Sequence, residues 1–134
     1  MFLLDTVVLS ELRKRDRNPG LMDWMSRQRG IDLFLSVISI GEIERGICSV
    51  TKKDPEFAER LTAWRDKLLM VYAERLLPVS VAVARQWGRL SVEAGNSGAD
   101  VLIAATAREH NLTVVTRNTR HFISVGSSVC NPWT

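Results

Sequence analysis

The sequence predicts an α/β fold in which helices cover both faces of a parallel sheet. Short apolar segments alternate along the chain with longer segments in which apolar residues recur at helical spacing. Strands that are apolar throughout are typical of parallel sheets with both faces buried. The 134 residues are 46% hydrophobic and 25% charged. This composition is sufficient for an ordinary core, and we expect one domain over residues 1–134.

The first part of the chain is expected to contain two strands and two helices. Residues 2–4 are apolar and predict a short buried strand. A helix over 7–15 follows and is expected to stop at the Asn-Pro-Gly sequence at 18–20. A second helix over 21–28 has apolar residues on one face, and 33–37 predict the second strand.

The middle of the chain predicts two amphipathic helices and a third strand. Ser36 or Ser39 is suited to cap the first of these helices, which carries isoleucines along one stripe. The second helix covers 55–72, and residues 76–79 form a third apolar segment short enough for a strand.

The last part of the chain continues the alternation. A helix is expected over 81–92, followed by a loop at 94–98. Asp100 opens a helix that is apolar nearly all round and therefore belongs inside a layer, and Asn111 is suited to end it. The remaining predicted elements are a strand over 112–115, a polar turn at 122–123 and a strand near residue 129.

Composition excludes several classes of protein. The uncharged apolar runs are much shorter than a bilayer-spanning helix requires. Asp5 follows the N-terminal apolar residues too early for a secretory signal peptide. Cys48 and Cys130 are too few for a disulfide scaffold and lack metal-ligand spacing. We therefore expect a cytoplasmic protein, and its net charge of +3 is compatible with a polyanionic partner without requiring one.

Three carboxylates and one amide are expected at one edge of the sheet. Ligands of open α/β sheets bind outside the carboxyl ends of the strands. Asp5 and Asn118 each lie just after a predicted strand. Glu42 lies in the first turns of the helix that follows the second strand, and Asp100 opens a buried helix. The topology thus directs all four residues toward one site.

Each of these residues has a structural explanation when taken alone. Asp5 and Asn118 are suited to helix caps or turns. Glu42 is suited to a solvated helix face, and Asp100 to the positive end of a helix dipole. Their convergence favours a different interpretation, because neighbouring carboxylates repel one another. A divalent cation such as Mg²⁺ removes that repulsion and is suited to phosphoryl chemistry.

Five segments occur in an order that is typical of one known family. They are LLDTVVLSELRK, LFLSVISIGEIERGI, AVARQWGRL, ADVLIAATAREHNLTVVTRNTRHF and NPW. Together they resemble the VapC/FitB-type PIN-domain family. The resemblance implies a three-layer α/β/α sandwich with a central parallel sheet, usually assembled as a homodimer. It also implies an endoribonuclease that depends on Mg²⁺ or Mn²⁺ and is the toxin of a type II toxin–antitoxin module. The antitoxin of such a module has a DNA-binding end and an inhibitory tail.

The resemblance also assigns roles to individual residues. Asp5, Glu42 and Asp100 match the family's metal-binding carboxylates, and Asn118 matches the last residue of its T-R-[ND] element. These four would be the catalytic residues. The candidates for substrate contact or site support are Thr6, Thr116, Arg117 and His121. The implied reaction is hydrolysis of an RNA phosphodiester that leaves a 5′-phosphate and a 3′-hydroxyl.

Two positions depart from the family pattern. Val7 replaces an asparagine that usually supports the site, and His121 replaces an acid that could hold a second metal ion. A neutral imidazole is a poor ligand for Mg²⁺ but a fair one for Mn²⁺, so we expect greater activity with Mn²⁺. The alternative interpretation is a catalytically weakened homologue that acts mainly by binding its antitoxin or RNA.

A receiver domain that accepts a phosphoryl group is a rival interpretation. Such domains also gather acids and Mg²⁺ at the ends of parallel strands, with an adjacent acidic pair after the first strand and a lysine after the fifth. This chain has the single Asp5 at the first position and no lysine after Lys67. The sequence therefore favours the nuclease.

Partner surfaces are expected on the early helices. Trp24, Met25 and Trp64 are large apolar residues on helices that the pattern places at the outside of the sandwich. Monomers rarely expose large apolar patches. We therefore expect these residues to form a homodimer surface and a groove for the antitoxin.

Overall fold

Five parallel strands form the sheet in the computed structural model, which describes residues 1–134. The strands are β1 (Phe2–Leu4), β2 (Leu33–Ser36), β3 (Leu76–Leu77), β4 (Thr113–Val115) and β5 (Val129–Cys130). They lie in the order β3-β2-β1-β4-β5, and every neighbouring pair is parallel. The prediction of a parallel sheet is confirmed, and the first strand of the chain is its centre.

Seven helices connect and cover the strands. They are α1 (Thr6–Arg13), α2 (Pro19–Ser26), α3 (Val37–Val50), α4 (Pro55–Val71), α5 (Val81–Ala94), α6 (Ala99–Glu109) and α7 (Thr119–Ile123). Short 3₁₀ turns lie at Gly30–Asp32 and Ala73–Arg75. No helix combines the length and the apolar character that crossing a membrane requires.

Two apolar layers cover the sheet, one on each face. Leu3 of β1 packs in a core with residues of α5, α6 and α7, whereas Leu4 packs in a second core with residues of α1 to α4. Val114 and Val115 of β4 divide between the two cores in the same way. This alternation follows from the side-chain period of a strand and confirms the three-layer α/β/α sandwich.

Side-chain caps determine where most helices begin. The residues whose side chains accept a backbone N–H of the following helix are Asp5, Asn18, Ser36, Asp54 and Ser80. At the other end, Gly95 closes α5 with φ +63°, and Asn111 follows α6 with φ +56°. Glycine and asparagine are the residues that adopt this left-handed conformation most readily.

Two sequence-based expectations about local structure were wrong. The Asn-Pro-Gly sequence does not end α1. It begins α2, because the Asn18 side chain caps that helix and Pro19 occupies its first position. The predicted polar turn at 122–123 belongs instead to helix α7, in which Phe122 is fully buried.

The apolar residues expected at a partner surface are partly buried. Trp24, Met25 and Trp64 are partly buried and pack against the core of α1 to α4, with Trp24 edge-on to Phe2. The large apolar side chains that are exposed lie at other positions, among them Met70 at 79% and Val92 at 84%. The three residues therefore contribute to the core while keeping part of their surface exposed, and their role in a homodimer or an antitoxin groove stays a prediction.

Candidate metal centre

Asp5 lies at the carboxyl end of the central strand, where the chain turns into α1. Its backbone N–H donates to the carbonyl of Val115 at 3.0 Å, which ties the residue to the end of β4. Asp5 Oδ1 accepts the N–H of Thr6 at 2.8 Å, and Oδ2 accepts the hydroxyl of Thr116 at 2.8 Å. The carboxylate is therefore both a helix cap and a buried group, with only 4% of the residue exposed.

The environment of Asp5 disfavours its charged form. Burial raises the pKa of Asp5 from 3.8 to about 6. The hydrogen bonds from Thr116 and Thr6 lower this pKa, whereas the negative charges of Asp100 and Glu42 raise it further. The negative charges of the two other candidate carboxylates therefore reach Asp5 and act on its pKa in the same direction as burial.

Glu42 reaches the site from α3 through the Thr6 hydroxyl. Thr6 Oγ1 lies 2.6 Å from Glu42 Oε1 and 2.8 Å from the hydroxyl of Ser39, which is fully buried. Ser39 lies one turn before Glu42 on α3, so both side chains meet α1 at the same point. From the sequence, Ser39 was expected only as a possible helix cap. Its position three residues before Glu42 on the same helix could have indicated that both side chains lie on one face.

Asp100 enters the site from the first turn of α6 and contacts His121. The Asp100 Oδ2 and His121 Nδ1 atoms are 2.6 Å apart. His121 lies in α7 with 57% of its side chain exposed, and Asp100 retains 35% exposure. His121 therefore pairs with a candidate metal-binding carboxylate, and its role in supporting the site stays a prediction.

The turn after β4 brings Thr116 and Asn118 toward Asp5. The Thr116 hydroxyl accepts the N–H of Asn118 at 2.9 Å while it donates to Asp5. Asn118 is the N-cap residue of α7, but its side chain makes no capping hydrogen bond. The Arg117 guanidinium lies over the Trp133 ring, 5.7 Å from the centroid. Its contact with a phosphate stays a prediction.

The three carboxylates are close neighbours but do not form a closed set of ligands. No three acidic, histidine or cysteine side chains lie close enough together to ligate one ion directly. Asp5 and Glu42 form no ion pair, and Asp100 pairs only with His121. The site is thus a group of neighbouring carboxylates, none of which forms an ion pair with a lysine or arginine. Such oxygen donors fit Mg²⁺ or Mn²⁺ held partly through water, which is the common mode for Mg²⁺.

Two cavities border the carboxylates, and each contains an arginine. One of about 250 Å³ is lined by Thr6, Glu42 and Arg13 among others. The other, of about 220 Å³, is lined by Asp100, Arg120 and His121 among others. Guanidinium groups beside a cluster of carboxylates are suited to contact the phosphates of a polyanion that approaches the cluster.

The Thr116 hydroxyl gives a direct test of this geometry. Thr116→Val keeps the shape of the side chain but leaves Asp5 Oδ2 and the Asn118 N–H without their partner. We expect the free energy of unfolding to fall by about 1–3 kcal/mol and the pKa of Asp5 to rise further. Chemical denaturation measures the first effect, with Thr116→Ser as the control that keeps the hydroxyl. Equal stability of the valine variant and the wild type would contradict the arrangement.

The chain was compared with known proteins. A family model described as "PIN domain" matches residues 2–127. The chain is 35% identical to "Toxin FitB" of Neisseria gonorrhoeae over 99% of both chains. It is 34% identical to "VapC ribonuclease Y4jK" of Sinorhizobium fredii, over 99% of this chain and 98% of the relative.

Solved structures of similar proteins share the fold of this chain. The crystal structure of FitAcB from Neisseria gonorrhoeae superposes with a TM-score of 0.82, at 35% identity and over 99% of both chains. VapBC-5 from Mycobacterium tuberculosis, a member of the VapBC family of toxin–antitoxin systems, gives a TM-score of 0.56 at 26% identity, over 96% of this chain and 94% of that one. The family model, the two relatives and the sheet order lead to one conclusion. The chain belongs to the PIN domain family.

Proposed function

We propose that the protein is a metal-dependent endoribonuclease and the toxin of a VapBC-like type II toxin–antitoxin module. The observation that carries this proposal is the buried Asp5 carboxylate, whose pKa is raised to about 6 beside Glu42 and Asp100 with no basic side chain paired to it. The ribonuclease name of Y4jK and the toxin name of FitB support the substrate class and the biological role.

In this proposal, Asp5, Glu42 and Asp100 would hold the Mg²⁺ or Mn²⁺ ion, partly through water. When bound, the ion lowers the pKa of water and neutralises charge that develops on the scissile phosphate. Thr116 and the Thr6 N–H fix both oxygens of Asp5, the Thr6 hydroxyl orients Glu42, and His121 orients Asp100. The free side chain of Asn118 is available to orient water or a phosphate oxygen.

Cleavage of RNA by the purified protein tests the activity. We expect cleavage with Mg²⁺ or Mn²⁺, none in the presence of a chelator, and products with 5′-phosphate and 3′-hydroxyl ends. An absence of cleavage in a protein that binds Mn²⁺ would favour the weakened homologue that acts by binding. An absence of both cleavage and Mn²⁺ binding would contradict the proposal.

The proposed partners are a cognate antitoxin, an RNA substrate and a second copy of the chain. The names of the FitAcB and VapBC-5 structures support an antitoxin partner. An antitoxin tail that brings an arginine or lysine to the carboxylates would neutralise them as a cation does. Co-purification of the two proteins, followed by light scattering, tests both associations, and a monomer without a partner at micromolar concentration would contradict them.

Two further parts of the proposal concern the domain organisation and the location of the protein in the cell. Residues 1–134 act as one PIN domain, since the residues beyond the matched range include Trp133, which packs against the same core as α1 to α4. An RNA substrate and a VapB-like partner would place the active protein in the cytoplasm.

Substitution of His121 tests which metal ion supports the activity best. We expect the wild type to be more active with Mn²⁺ than with Mg²⁺, because the position carries an imidazole. His121→Asp should raise the ratio of Mg²⁺-supported to Mn²⁺-supported activity by about tenfold, since it adds a hard oxygen donor beside Asp100. Cleavage rates across titrations of the two ions measure this ratio. If both curves were unchanged by the substitution, His121 would not influence the metal.

A further inference from the structure

The turn that supports Asp5 is held at Thr116 and Asn118, whereas Arg117 between them projects from the surface. Thr116 is fully buried, and its N–H donates to the carbonyl of Cys130 at 3.0 Å. The Asn118 N–H donates to the Thr116 hydroxyl at 2.9 Å, and the Asn118 carbonyl accepts the His121 N–H at 3.3 Å. Arg117 and Asn118 are exposed, so the Arg117 side chain requires an anchor from elsewhere if it is to stay in place.

The Trp133 ring provides such an anchor through Arg117. The Arg117 guanidinium lies over this ring at 5.7 Å from its centroid, a distance at which a cation is attracted to an aromatic face. Arg117 also lies within electrostatic reach of the buried Glu11 on α1, because its charge helps to lower the pKa of that carboxyl. The strongest cause of that lowered pKa is the hydrogen bond from Lys14.

The segment that carries Trp133 is itself fixed to α2. The Asn18 side chain pairs with the Thr134 backbone in both directions, with its Nδ2 donating to the carbonyl at 3.0 Å and its Oδ1 accepting the N–H at 3.1 Å. Gly20 allows this approach, since a Cβ there would lie 2.5 Å from the carbonyl oxygen of Pro132. The Asn18 N–H donates in turn to Glu11 at 2.9 Å.

These contacts connect the start of α2 with the candidate metal centre. The path runs from α2 through Trp133 to Arg117, and from there to Thr116 and Asp5. We propose that Trp133 is a positioning residue for the candidate metal centre, because its ring holds the Arg117 side chain and so fixes the exposed part of the turn, including Asn118, beside the Thr116–Asp5 hydrogen bond. This inference rests on the proposed metal-dependent function.

Substitution of Trp133 tests the inference without changing the charge near the site. We expect Trp133→Ala to weaken Mn²⁺ binding by about tenfold, as loss of a group that orients a metal ligand does. Trp133→Phe keeps an aromatic face for Arg117 and should retain nearly wild-type affinity. Isothermal titration with Mn²⁺ in the absence of RNA measures the affinity independently of cleavage.

A matched control separates positioning from general stability. Trp24 is partly buried against the same core as Trp133 but contacts Phe2 instead of the turn. Trp24→Ala should lower the thermal midpoint as Trp133→Ala does, yet leave Mn²⁺ affinity unchanged. Arg117→Ala should weaken Mn²⁺ binding, and the Arg117→Ala, Trp133→Ala double variant should weaken it no more than the stronger single variant, since both remove one contact.

The outcomes distinguish this inference from the proposed function. Wild-type Mn²⁺ affinity in Trp133→Ala, or additive losses in the double variant, would overturn the positioning role while the metal-dependent function stands. An equal loss of affinity in Trp24→Ala would also overturn it, because the effect would then be one of stability. A wild-type protein that binds no Mn²⁺ would overturn the proposed function and this inference together.

Discussion

Asp5→Asn reduces RNA cleavage by about 100-fold or more at saturating substrate and matched Mg²⁺. The amide keeps the size of the side chain but cannot supply a charged oxygen donor, and metal stabilisation of the transition state contributes several kcal/mol. Glu42→Gln and Asp100→Asn are expected to have effects of the same order, since each removes one of the three carboxylates around the candidate metal centre. Single-turnover cleavage of a labelled RNA measures the loss.

A control on the same helix makes this result specific. Glu44 lies two positions after Glu42 on α3, is half-exposed and pairs with Arg65 at the surface. Glu44→Gln therefore removes the same charge from the same helix without changing the site, and its cleavage rate should equal that of the wild type. If Asp5→Asn cleaved RNA as fast as Glu44→Gln, the assignment of the site would be wrong.

Most of the fold could be predicted because the relevant signals are local. Each strand is a short apolar run, and the carboxyl end of a parallel strand is known once the strand is known. Asp5 and Thr116 follow β1 and β4 directly, so their convergence was predictable without any contact information. Helix α7 was missed because its five residues include three polar ones and give no amphipathic period.

The contacts that were not predicted join residues distant in the chain. Nothing in the local pattern relates Trp133 to Arg117, or Thr6 to Ser39, because these pairs form only when β5 and α3 dock beside β4 and α1. Arg117 was therefore interpreted as a candidate for phosphate contact. The local signal at Asn18 was present but was assigned to the wrong helix, since a residue before proline can follow one helix and cap the next.

Ionisation of Asp5 is expected to make the metal-free protein less stable as the pH rises from about 4 to about 6. The pKa of Asp5 is about 6 in the folded protein and 3.8 in its ordinary state. Between these values the folded state holds a proton that the unfolded state has released, so raising the pH favours unfolding. The full cost is present above the folded pKa, is absent below the unfolded pKa, and amounts to about 3 kcal/mol. Denaturant unfolding in the presence of a chelator measures it.

The Asp5→Asn variant isolates this contribution from the other titrating groups. Glu11 acts in the opposite sense, because its pKa is lowered by Lys14 and its stabilising bonds are lost as the pH falls. Asparagine does not titrate, so the stability of the variant relative to the wild type should increase from near zero at about pH 4 to about 3 kcal/mol above pH 6. Adding Mg²⁺ at high pH should reverse this order, because only the wild type gains a bound ion. A difference that stayed constant with pH would show that Asp5 ionises at its ordinary pKa. The charged form of Asp5 would then not be destabilised in the folded protein, and a bound cation would not be needed to stabilise it.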